Sequence, residues 1–143
     1  MRNLDSIRVR RPELYDVLLN KLVREDKIFS TLANALVFAA SVGFKKQLKL
    51  VFTDSGEPIR LSVFDWDQDI PFMYALALAH SNQIEMMRED YFEQVVSIFE
   101  EYANGGLSFI ESVYDSASPV QSLEQLVSES YRTDDVSNIF DDW

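Results

Sequence analysis

Three aspartates at alternate positions, Asp65, Asp67 and Asp69, are spaced like the first ligands of a calcium loop. Such a loop needs glycine at its sixth position and a bidentate glutamate at its twelfth. Ile70 and Leu76 stand there instead. Asp67 or Asp69 fits better at a helix N-terminus, where a carboxylate meets the positive end of the helix dipole. His80 is the single histidine. Its neighbour Ser81 lacks the Gly-x-Ser-x-Gly surround of a nucleophile elbow, and no triad partner is marked. Glu100-Glu101 suggests paired carboxylates, but adjacent helical residues point about 100° apart and cannot flank one bond. They read as a solvated face. Asn104-Gly105-Gly106 has neither the Gly-x-Gly-x-x-Gly pattern nor a Lys-Ser/Thr partner, so it reads as a helix stop and not as a phosphate cradle. With no cysteine, disulfides, thiolate metal sites and cysteine nucleophiles are excluded. The expectation is a chain with no catalytic residue, no metal and no cofactor.

The positive signal is basic. Arg8, Arg10 and Arg11 open the chain, and Lys45, Lys46 and Lys49 follow within the first fifty residues. A strand carrying Arg8 and Arg10 followed by two helices has the layout of ribbon-helix-helix DNA readers, which pair such strands across a dimer in the major groove. Arginine suits that role because its fork matches guanine edges and phosphates. The plainer account is an edge strand whose charges discourage aggregation. At the other end Ile139, Phe140 and Trp143 lie among aspartates, the composition of a short segment that orders on a partner.

Charge is polarised along the chain. Residues 1–50 hold ten Lys/Arg and five Asp/Glu; residues 51–143 hold three and nineteen, and the formal net charge is −11. Such asymmetry signals either an electrostatic partner or mutual attraction of the two halves. The acidic half is read as a DNA mimic or as a solvated surface. At 143 residues, 47% of them hydrophobic, the chain fits one domain with a cooperative core. The longest uncharged run, Ile28 to Phe44, is seventeen residues, short of the ~20 that span a bilayer. With no apolar leader at the start, the expected compartment is the cytoplasm.

The elements that must position these residues are mainly helical. Ser6 to Arg10 alternates as a short strand with Ile7 and Val9 inward. Leu14, Val17, Leu18 and Leu22 predict an amphipathic helix from Pro12 to about Glu25. Ser30 or Thr31 caps a second helix without charge, ending at Gly43 as a left-handed C-cap. Residues 48–52 and 59–64 predict a β-hairpin around the turn Asp54-Ser55-Gly56-Glu57-Pro58. A third helix starts near Pro71 and breaks at His80-Ser81-Asn82. Ile84 to Tyr102 has helical spacing, with a restart at Asp90-Glu93 as the alternative, and Asn104-Gly105-Gly106 stops it. Leu107, Ile110 and Tyr114 mark another helix, and Ser118-Pro119 starts the last one. The fold class is a mainly α, compact domain of five to six helices over residues 1–131, followed by an acidic tail at 132–143.

Four blocks carry a resemblance. They are Ile7-Arg8-Val9-Arg10-Arg11-Pro12, Ala35 through Phe44, Gly56-Glu57-Pro58-Ile59-Arg60, and Ile98 through Leu107 with Glu100-Glu101-Tyr102-Ala103-Asn104-Gly105-Gly106 at its centre. In this order, over about residues 7 to 127, the chain resembles the DNA phosphorothioation-associated protein 4 family, also called Dnd system-associated protein 4. The tail lies outside that resemblance. The resemblance implies an accessory product of bacterial gene clusters that replace a backbone phosphate oxygen of DNA with sulfur. Those clusters also restrict unmarked DNA as a defence against phage, and the family has no established catalytic residues. The expected function is a non-catalytic binding protein acting through contacts with other proteins of the system. A DNA-binding regulator using the basic segment is the alternative, and a homo-oligomer is left open.

Overall fold

A computed structural model describes residues 6–130. Strand β1 (Arg8–Val9) leads through a 3-10 turn at Glu13–Tyr15 into helix α1 (Asp16–Asn20), which continues as a π turn over Lys21–Glu25. Helix α2 spans Leu32–Lys45, and strand β2 is Ile59–Arg60. Helices α3 (Asp69–Ser81), α4 (Phe92–Val113) and α5 (Pro119–Ser130) complete the described chain. The mainly helical class and the count of five helices agree with the sequence reading.

The centre of the fold is the pairing of α2 with α4. Thr31 starts α2 by accepting a hydrogen bond from the Asn34 backbone N–H at 3.1 Å, which satisfies one of the free donors of the first turn. Ala39 and Gly43 of α2 cross Tyr102 and Gly106 of α4. Both helices bury an apolar stripe in the core, Ala35, Leu36, Ala39 and Ala40 from α2 and Val95, Val96, Phe99, Ala103 and Leu107 from α4. The small residues let the two backbones meet. A Cβ on Gly106 would stand 1.7 Å from the Ala39 carbonyl oxygen, and one on Gly43 would stand 2.0 Å from that of Tyr102. Glycine inside a helix costs about 1 kcal/mol against alanine, so the pair is held by packing and not by propensity.

That packing corrects two boundaries. Asn104-Gly105-Gly106 does not stop a helix; α4 runs through it for 22 residues, from Phe92 to Val113. Gly43 is not a left-handed cap but an interior residue of α2, and the left-handed turn falls on Gln47, with φ 56°. In both places glycine supplies closeness to a neighbour, not chain reversal. Residues 84–91 form two 3-10 turns, so α4 begins at the Asp90-Glu93 restart and not at Ile84. Asn82, left-handed at φ 57°, ends α3 within the predicted break.

The hairpin expected over 48–64 does not form. Of its second half only Ile59–Arg60 becomes a strand, with Leu61–Val63 winding into a 3-10 turn, and β2 pairs antiparallel with β1, Val9 opposite Ile59 and Arg8 opposite Arg60. Residues 48–50 instead lie along α4. The Leu50 N–H donates to the Glu101 carbonyl at 3.0 Å, and Asn104 Nδ2 donates to the Leu50 carbonyl at 2.9 Å. A buried helix thereby replaces the neighbouring strand as hydrogen-bond partner. No described helix is long and apolar enough to cross a membrane.

Candidate partner-binding face

Helix α4 acts as a post to which two passing segments are tied. Glu100, 3% exposed, accepts from the Arg10 backbone N–H and from its Nε and Nη2, the latter two at 3.1 Å. Glu101 pairs with Lys49, and Asn104 holds the Leu50 carbonyl. The solvated face read from Glu100-Glu101 is therefore wrong. The signal lay in spacing: Glu100 follows Val96 by four residues and precedes Ala103 by three, which puts it on the buried stripe. Burial pushes the Glu100 carboxyl above its ordinary range, against the Arg10 hydrogen bonds and charge that pull it down.

These ties order a surface. Glu13 N–H donates to Asp54 O at 3.0 Å and Gly56 N–H to Arg11 O at 2.9 Å, zipping residues 11–13 to 54–56. Arg11 reaches Asp16 Oδ1 at 2.8 Å and the Glu57 carbonyl at 2.8 Å. Between the two segments lies a shallow depression of about 600 Å³ lined by Leu14, Tyr15, Leu50, Val51, Phe52 and Asn104. Leu14 is 78% exposed and Val51 75%, with Leu50 40% exposed beside them. Val17, 71% exposed, follows Leu14 by three residues on the same helical side. The inward face predicted from Leu14, Val17, Leu18 and Leu22 is thus split. Leu18, Leu19 and Leu22 enter the core while Leu14 and Val17 point to solvent.

The basic residues divide by partner. Arg10, Arg11 and Lys49 are spent on Glu100, Asp16 and Glu101. Lys46 stacks over the Phe109 ring at 4.7 Å, and Lys45 borders a separate depression with it. The six are therefore not gathered into one patch. Arg8 is exposed in register with exposed Arg60, on a strand whose ladder partner β2 belongs to the same chain.

The candidate chemical residues fall into structural roles. Asp65 Oδ1 accepts from the Asp67 N–H, and Asp69, first residue of α3, accepts from the Asp65 N–H. His80 Nδ1 lies 2.9 Å from the Tyr102 hydroxyl, and Ser81 Oγ accepts from the Gln83 N–H. Among the described residues no group of three or more His, Asp or Glu is placed to hold a metal ion. Ile139, Phe140 and Trp143 lie outside the described residues.

A model of the family described as DNA sulphur modification system-associated protein 4 matches residues 8–141. The chain belongs to that family. The match reaches well past residue 127, so most of the acidic tail is part of what the family shares, contrary to the narrower reach of the resemblance. The family's defining association is with a DNA sulphur modification system. No curated protein and no solved structure is detectably similar to the chain.

Proposed function

We propose that this chain is a non-catalytic binding subunit that docks onto another protein of the DNA sulphur modification system. The contact is the apolar face of Leu14, Val17, Leu50 and Val51. The observation that carries the reading is the exposure of three large aliphatic side chains, Leu14, Leu50 and Val51, around one depression, with Val17 exposed one turn from Leu14. There α4 holds the 49–50 segment through Glu101 and Asn104, and backbone hydrogen bonds join residues 11–13 to 54–56. Scattered exposed aliphatics are ordinary, but a contiguous patch on an ordered scaffold marks an interaction site. Glu13 and Asp54 at its edge favour a partner that presents apolar anchors ringed by Lys or Arg.

The test is binding of the purified chain to each purified protein of the system. Leu14→Asp with Val51→Asp is expected to weaken binding about tenfold or more, since each decade needs only ~1.4 kcal/mol and a buried unpaired carboxylate costs more. Both positions are exposed, so the circular dichroism spectrum and melting temperature should hold. Unchanged affinity in the double variant, or no component bound by the parent chain, would overturn the reading.

One observation favours a second reading, direct DNA contact. Arg8 and Arg60 stand opposite each other on an exposed ribbon, a spacing suited to a backbone phosphate. This reading expects duplex affinity to fall log-linearly with salt, and Arg8→Ala with Arg60→Ala to flatten the slope. No duplex bound at low salt would remove it. The opposing weight is the net charge of −11 and the internal pairing of Arg10, Arg11 and Lys49.

A further inference from the structure

A second apolar surface shares no residue with the face above. The Phe38 ring is common to three adjoining depressions of about 1050, 420 and 260 Å³. Together they form a groove between α5 on one side and α2 with the 23–30 segment on the other. Ile28 and Phe29 form its middle, and Val120 and Val127, 54% and 38% exposed, give α5 an apolar edge with no described segment against it. Cations flank both ends: Arg24 and Lys27 at one, Lys45 and Lys46 at the other, with Glu124 the acid between.

We propose that this groove is the docking site for residues 131–143 of the same chain, with Ile139, Phe140 and Trp143 as the apolar anchors. Three things on the molecule select that occupant. The described chain leaves from Ser130, at the end of α5 and so beside the groove wall formed by Val127 and Ser128. From there Ile139 is nine residues on, a reach of up to ~30 Å at 3.3–3.6 Å per residue, and α5 itself is only about 18 Å long. The segment can therefore run back along the whole groove. Its charge is complementary as well: Asp134, Asp135, Asp141 and Asp142 would lie among Arg24, Lys27, Lys45 and Lys46. The family match extends through Asp141, as expected if this segment is part of the domain.

The experiment uses the full chain with Trp66→Phe, which leaves Trp143 as the single tryptophan. In the folded chain the Trp143 emission should be blue-shifted from its value in denaturant and several-fold less quenched by acrylamide, independently of protein concentration. Val127→Glu, at a partly exposed site, should return both readings toward those of the unfolded chain without changing the circular dichroism spectrum. Lys45→Glu with Lys46→Glu should move them in the same direction. Native emission equal to that in denaturant would overturn the proposal, as would shielding that survives these changes. Shielding that grows with protein concentration would also overturn it, by assigning the groove to a second copy.

Discussion

Gly106→Ala is expected to destabilise the fold by about 1–3 kcal/mol, the usual cost of overpacking a close contact. It would appear as a lower urea midpoint at unchanged slope. The sign decides between two accounts. If α4 were an ordinary surface helix, alanine would stabilise it by about 1 kcal/mol through propensity. Here the added carbon meets the Ala39 carbonyl carbon at 2.5 Å as well as its oxygen. Both belong to backbone, so neither can rotate away and α2 must retreat from α4. Gly105 is confined in the same way by the Leu48 carbonyl, at 1.8 Å. A stabilised Gly106→Ala chain would contradict the close crossing of α2 and α4.

Glu100 supplies the second large effect. Glu100→Ala removes the acceptor of three Arg10 donors and is expected to cost about 2–3 kcal/mol, below the ~3–5 kcal/mol of a fully buried pair. The reduction follows because the Arg10 side chain keeps 40% of its exposure and recovers water. The pH dependence separates charge from packing. Burial raises the folded carboxyl above its ordinary value of 4.5, so the native state holds this proton more tightly than the unfolded chain does. Its contribution is therefore fully present below the unfolded value and is lost as pH rises through the folded one. Glu100→Gln should remove that falling component, so the stability of the variant relative to the parent should rise with pH over this window. A relative stability that falls with pH would mean that Arg10 outweighs burial.

The two helices at the core were legible because Thr31, the alanines of 33–40 and the apolar stripe of 92–110 obey local rules of capping and period. What was hidden is non-local. Asn104-Gly105-Gly106 and Gly43 have the composition of helix ends, and only the partner helix shows that they serve close approach. Leu48 through Phe52 has strand chemistry, yet Asn104 and the Glu101 carbonyl supply the hydrogen bonds a strand would have given. Leu14 and Val17 fit the helical period of Leu18 and Leu22, but the segment enters through a 3-10 turn that directs Tyr15 into the core and leaves them outside. The candidate face was illegible for the same reason, since it joins residues 14–17 to 50–51 through contacts that no local pattern encodes. Glu100 was the exception, because its place on the buried stripe could be read from spacing alone.

The central claim is that recognition happens on the face joining residues 12–17 to 50–54. Hydrogen–deuterium exchange of the full chain, alone and with each purified protein of the modification system, tests it most directly. The account predicts that at least one of these proteins slows exchange in both segments together. Protection confined to the Arg8–Arg60 ribbon, or no slowing in either segment with any component, would contradict it.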